Sequence, residues 1–116
     1  MNNLILLKSK IHNAVVTSTK LDYEGSIEID RELIQRAGLC VYEKVHVLNI
    51  STGSRLETYV IEGQAGSREI SLNGAAARLA QKGDRLIILA YVVVTEAEAR
   101  NWRPTIVKLD EDNCPI

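Results

Sequence analysis

Gly25 is followed by Ser26, and that pair can do chemistry on its own backbone. The serine hydroxyl lies one bond-forming step from the carbonyl carbon of the preceding residue. A glycine there carries no Cβ to obstruct the approach and tolerates a strained backbone. Attack by the Ser26 hydroxyl on the Gly25 carbonyl converts the amide to an ester. Elimination of that ester leaves dehydroalanine at position 26, which hydrolyses to a pyruvoyl group, an electrophilic ketone built from the chain itself. Gly53-Ser54 and Gly66-Ser67 repeat the dipeptide. A bare pair of this kind is as a rule a turn, so the surrounding residues must decide.

Those surroundings are specific. Lys10-Ile11-His12, Tyr23-Glu24-Gly25-Ser26, Gly53-Ser54-Arg55 with Thr58-Tyr59, Asn73-Gly74-Ala75-Ala76 and Asn101-Trp102-Arg103-Pro104 follow one another along the chain. Their order and spacing resemble the pyruvoyl-dependent aspartate 1-decarboxylases from about Leu4 to Asp112. The resemblance implies a mainly β fold, a small double-psi β-barrel with short helices. It implies one barrel domain over residues 1–116, a zymogen that cuts itself into a beta chain of residues 1–25 and an alpha chain of residues 26–116. The activity implied is decarboxylation of L-aspartate to β-alanine and CO2, which supplies β-alanine for pantothenate and coenzyme A. A cytoplasmic homotetramer with sites at subunit junctions is implied as well, and in some members an accessory maturation protein.

Residue roles follow from the same resemblance. Ser26 becomes the covalent pyruvoyl group, and Gly25 leaves as a carboxylate. Thr58 is the donor to the Gly25 oxygen, where one hydrogen bond aimed at a developing oxyanion contributes about 3 kcal/mol. Asn73 adds a second polar contact in processing and in substrate binding. The pyruvoyl ketone captures the substrate amine and accepts electrons as the α-carboxylate leaves, the electron-sink role that pyridoxal phosphate has elsewhere. Tyr59 is the acid that returns a proton to the α-carbon, since a phenol holds its proton at neutral pH. The substrate carries two carboxylates. Arg55 offers a planar fork for one of them, Lys10 a point charge and His12 a hydrogen bond. The helix that opens at Gly74 offers free N–H groups at Ala75 and Ala76.

Each residue alone has a plainer reading. Arg55 beside a turn and Lys10 on a strand are solvated charges, His12 is a surface histidine, Tyr59 is half-buried packing, and Asn73-Gly74 is a common turn pair. Only their joint occurrence outweighs this. Two other functions compete: a non-enzymatic β-barrel that binds DNA or acts as an adaptor with Gly25-Ser26 intact, and a relative that has lost processing. A net charge of −1 gives no positive field for a nucleic-acid partner.

These residues need a scaffold. Apolar residues make up 46% of the 116, almost all of them Leu, Ile, Val and Ala, with no Phe. Branched aliphatics suit pleated, half-buried strands. No apolar run approaches the roughly 20 residues of a membrane-spanning helix, and Met1-Asn2-Asn3-Leu4 has no leader-like pattern. Cys40 and Cys114 read as free thiols, and no metal site is expected.

Alternation predicts strands over Leu4 to His12, with Lys8, Lys10 and His12 on one face, and over Ala14 to Thr19. A bend at Tyr23 to Gly25 leads into Ser26 to Ile29. Asp30 caps a helix through Ala37 that Gly38 ends. Val45 to Ile50 and Arg55 to Ile61 form a hairpin. Glu69 to Leu72, Arg85 to Val94 and Thr105 to Leu109 are further strands. Helices are expected over Ala75 to Gln81 and after the capping box at Thr95 to Glu98. The tail from Asp110 is expected to fray, and Trp102 to anchor the closing barrel. Strands so short are most stable in a closed barrel, which leaves few edges. One tension remains: on a regular strand Arg55 and Tyr59 face away from Thr58. Either that strand is bulged, or its two faces serve sites in different subunits.

Overall fold

Eight strands form one sheet in the computed structural model, which describes residues 2–116. They are β1 (Asn3–Val15), β2 (Ser18–Lys20), β3 (Ser26–Asp30), β4 (Lys44–Asn49), β5 (Arg55–Gly63), β6 (Ile70–Asn73), β7 (Arg85–Thr95) and β8 (Thr105–Lys108). Helix α1 (Arg31–Ala37) follows β3, a 3-10 helix (Gly74–Leu79) follows β6, and α2 (Glu96–Ala99) follows β7.

The strand order is β2-β6-β3-β5-β4-β7-β1-β8, and β2 at one end continues the line of β1 near the other. Only Val16 and Thr17 separate β1 from β2. The Val16 N–H donates to the Asp84 carbonyl at 2.9 Å, and the Thr17 N–H donates to the Ile70 carbonyl at 2.8 Å. One continuous run of backbone therefore joins β7 on one side to β6 on the other, and the sheet closes. Parallel pairs β2–β6 and β3–β5 are set among antiparallel neighbours. This is the double-psi β-barrel that the resemblance implied. Closure buries the inward aliphatics: Ile11, Ile27, Ile29, Leu72, Leu86 and Ile88 are at most 1% exposed. At about 25 cal/mol per Å² of apolar surface, such branched side chains are the main source of stability.

Three local expectations were corrected. Strand β1 runs unbroken through Asn13, where two strands had been expected. It bends by register shifts at Leu7/Ser9 and His12/Ala14, and Asn13 takes a φ of 71°. Bulges of this kind let one long strand follow a tightly curved wall. Ser9 and Ile11 are buried as alternation predicts, but Lys8 lies at the first bulge and its Nζ is tied to Glu43 at 2.8 Å. The helix expected over Ala75 to Gln81 is instead the short 3-10 turn from Gly74. The tail from Asp110 does not fray. Asn113, 2% exposed, accepts from the Val15 N–H at 2.7 Å and donates to the carbonyls of Val15 (2.9 Å) and Arg68 (3.0 Å). One amide thus fastens the C-terminus along the β1 edge.

The local signals held where they are short-range. Gly38 ends α1 at φ 70°, with the Leu39 N–H returning to the Ile34 carbonyl at 3.0 Å. The Thr95–Glu98 capping box is present on both sides. The Trp102 indole donates to the Leu7 carbonyl at the bulge, 2.7 Å away.

Asp30 does more than cap α1. It is fully buried. Its Oδ1 accepts from the backbone N–H groups of Glu32 (2.8 Å) and Gly66 (3.0 Å), and its Oδ2 accepts from that of Arg68 (2.8 Å). Asp30→Ala removes the acceptor for three donors at once. A loss of about 2–4 kcal/mol is expected, read as a lower urea midpoint at unchanged slope. A shift under about 0.5 kcal/mol would mean that the loop at Gly66 rearranges to water without cost.

Candidate active site

Register brings the site together. Strand β3 pairs antiparallel with β6, setting Ser26 opposite Asn73. Directly opposed residues project to the same face, and here both are buried, Ser26 at 1% and Asn73 at 0% exposure. Asn73 Nδ2 donates to Ser26 Oγ at 2.9 Å, and that oxygen makes a longer contact, 3.4 Å, to the Glu24 carbonyl. Asn73 precedes the 3-10 helix but its side chain does not cap it. The amide is committed to Ser26 instead.

On its other side β3 runs parallel to β5, with Ile27 beside Val60. Ser26 and Tyr59 are the residues that immediately precede this pair on their strands. Gly25, Thr58, Tyr59, Ala75 and Ala76 line a cleft of about 360 Å³, large enough for a small dicarboxylate. The Tyr59 ring packs against Tyr42, centroids 6.3 Å apart at 45°.

The glycines divide the work differently from expectation. Gly25 is not in the left-handed region, and a Cβ built there meets nothing within 4 Å. Neither a strained φ nor crowding at its Cα demands glycine here. Gly74 is the constrained position, with φ at 66°, and a Cβ there would lie 2.7 Å from Gly25 N and 2.8 Å from both Gly25 Cα and the Tyr23 carbonyl oxygen. Only glycine lets the β6 corner back against the Tyr23–Gly25 bend.

Lys10, His12 and Arg55 do not line this cleft. Lys10 and His12 lie on the part of β1 held between β7 and β8. Burial lowers the His12 pKa from its ordinary value, and Lys10, Lys108 and Arg85 lower it further. The ring is neutral at pH 7 and suited to hydrogen bonding, and its buried Nδ1 has no partner among the described residues. Arg55 is exposed at the start of β5. Strand β5 pairs with β4 from Lys44–Tyr59 to Leu48–Arg55 without a shift, so it is not bulged, and Arg55 and Tyr59 do face away from Thr58.

Two hydroxyls, Ser71 buried and Ser18 half-buried, are not singled out by the sequence. Ser71 Oγ donates to Asn73 Oδ1 at 3.1 Å, and Ser18 Oγ donates to Ser71 Oγ at 2.9 Å. Ser71 could have been found, because it lies two residues before Asn73 on the same strand face. Ser18 could not, since only the parallel β2–β6 register sets it beside Ser71. Among the described residues no group of His, Cys, Asp and Glu could hold a metal, and no helix is long and apolar enough to cross a membrane.

Fold and site together define a class: a small double-psi barrel with a Gly-Ser bond at the edge of a cleft and the serine buried against an asparagine amide. A family model described as aspartate decarboxylase matches residues 2–115. Among curated relatives named aspartate 1-decarboxylase, that of Chlorobium chlorochromatii is 58% identical over 112 residues, 97% of this chain and 87% of its own. That of Dehalococcoides mccartyi is 56% identical, covering 93% of this chain and 87% of its own. That of Thermoanaerobacter pseudethanolicus is 50% identical, covering 96% and 95%. A computationally designed protein, msDPBB_sym2, is a looser likeness in structure, with a TM-score of 0.45 at 18% identity over 78% of this chain and all of its own. The barrel assignment stands on the strand order alone. The chain belongs to the aspartate decarboxylase family.

Proposed function

We propose that this chain is the proenzyme of a cytoplasmic aspartate 1-decarboxylase, which converts L-aspartate to β-alanine and CO2 after cutting itself between Gly25 and Ser26. Family membership and relatives of that name over nearly the whole chain support the activity. The observation that carries the self-cleavage is the buried Ser26 hydroxyl, held by Asn73 at 2.9 Å at the edge of the cleft.

Self-cleavage balances as follows. A bond forms between Ser26 Oγ and the Gly25 carbonyl carbon while the Gly25–Ser26 C–N bond breaks, and the hydroxyl proton ends on the freed amine. Loss of the Ser26 α-proton and cleavage of its Cβ–Oγ bond release residues 1–25 with a Gly25 carboxylate. Water then displaces ammonia from the dehydroalanine left at position 26. Thr58, which lines the same cleft as Gly25, is the donor to the carbonyl oxygen as charge develops there. Asn73 holds Oγ throughout.

The residues present suit a pyruvoyl group at position 26: the site is buried, beside an open cleft, and its nearest polar partner is a donor. Such a group supplies a ketone that captures the substrate amine and draws electrons from the departing carboxylate. Tyr59 delivers a proton to the α-carbon from the adjacent strand. Ala75 and Ala76 close one wall. Lys10, His12 and Arg55 recognise carboxylates from a neighbouring copy, which is why they stand away from this cleft. Outward-facing Ile5 and Val93, 72% and 62% exposed and paired across β1 and β7, support a homotetramer with sites at subunit junctions. The DNA-binding or adaptor reading has no positive net charge behind it and no use for a serine buried next to an exposed glycine.

Intact-mass measurement on purified protein tests the reading, which expects residues 1–25 and 26–116 as separate masses, the second blocked to Edman degradation. A chain that stays whole on warming would overturn it. Gly74→Ala tests the geometry. Its methyl group must push the Tyr23–Gly25 bend out of place. Cleavage slowed about 100-fold and a stability loss of about 1–3 kcal/mol are expected in a mass time course and a urea titration. Cleavage at the parent rate would show that this close approach has no part in maturation.

A further inference from the structure

We propose that Ser71 is a positioning residue for self-cleavage: its hydroxyl fixes which end of the Asn73 amide meets Ser26. The proposal rests on the reading of Gly25–Ser26 as the cleavage point. Asn73 is fully buried, and its two amide ends have the same shape but opposite polarity. Each end meets one hydroxyl, Nδ2 that of Ser26 and Oδ1 that of Ser71. Ser71 stands behind the amide, also fully buried, with its Oγ 3.1 Å from Asn73 Oδ1.

Ser71 has its own partner. Ser18 Oγ donates to Ser71 Oγ at 2.9 Å. The Ser71 proton goes to Asn73 Oδ1, which leaves Nδ2 for Ser26 Oγ at 2.9 Å. The Ser26 proton then points to the Glu24 carbonyl at 3.4 Å. Every donor in this row faces the same way. The row crosses three strands because register sets Ser18 beside Ser71 and Ser26 opposite Asn73.

The polarity matters to the chemistry. When the Cβ–Oγ bond of the ester breaks, the departing oxygen becomes part of the Gly25 carboxylate and takes on negative charge. An N–H on that oxygen stabilises the charge, whereas a carbonyl oxygen turned toward it repels the charge. Without the Ser71 hydroxyl, Oδ1 loses its donor and the amide is free to turn over.

The test is a time course of cleavage by intact mass on freshly purified chains, with melting curves taken in an uncut Ser26→Ala background. Ser71→Ala is expected to cleave about 10- to 100-fold more slowly than the parent. Ser71→Thr, which keeps the hydroxyl, is expected to recover most of the rate. In an Asn73→Ala background, Ser71→Ala is expected to change nothing further, because there is no amide left to orient. Three results overturn the proposal: parent-rate cleavage by Ser71→Ala, equal slowness in Ser71→Thr, or the same additional loss with and without Asn73. A parent chain that never cuts at Gly25–Ser26 removes the underlying reading instead, and this proposal with it.

Discussion

Ser26→Ala is expected to give a chain that folds, stays whole and turns over no aspartate. The substitution deletes one buried oxygen and leaves the backbone of β3 paired on both sides, through Ile27–Val60 and Ile27–Leu72. The cost is the lost acceptor of Asn73 Nδ2, about 1–3 kcal/mol for a buried donor left unpaired. A closed barrel with its aliphatic interior intact withstands that. The chemical loss is total, because no other atom of residue 26 can attack Gly25 or become the ketone. Intact mass should give one uncut chain, circular dichroism a parent-like spectrum, and CO2 release the buffer background. Turnover by the uncut variant would place the electrophile elsewhere and end the proposed mechanism.

Tyr59→Phe is expected to separate maturation from turnover. The variant should cut itself normally and then decarboxylate about 10²- to 10⁴-fold more slowly, the usual contribution of a positioned acid. The ring should stay in place without its hydroxyl. It packs against Tyr42, and the next residue is locked, with the Val60 N–H donating to the Glu43 carbonyl (3.0 Å) and the Tyr42 N–H donating to the Val60 carbonyl (2.7 Å). The measurement is a kcat from CO2 release on fully cleaved material. Blocked cleavage would move Tyr59 into the processing step, and an unchanged kcat would remove it from the reaction.

What could be read from the sequence was what depends on near neighbours. Asp30 as a cap, Gly38 as a stop and the Thr95–Glu98 box need only a few consecutive residues, and all three are present. The Gly25-Ser26 pair and its asparagine were legible as motifs, and their meeting is a matter of cross-strand pairing. The hydroxyls of Ser18 and Ser71 were not, because parallel pairing between distant segments leaves no local pattern. The same holds for Asn113, whose polar, turn-rich surroundings suggested a loose end. The unbulged run from Arg55 to Tyr59 was undecidable from alternation alone, since a single inserted residue would have reversed every face after it.

The course of β1 has one further consequence. Residues 9–12 are hydrogen-bonded to β7 on one edge and β8 on the other, and β2 continues along β6. A cut after Gly25 therefore frees no loop: it leaves two polypeptides complementing each other within one barrel. Unfolding the mature molecule becomes dissociation, and refolding becomes a second-order search of a short peptide for its slot. The break is a ratchet, since a strand lost after the cut has no tether to bring it home.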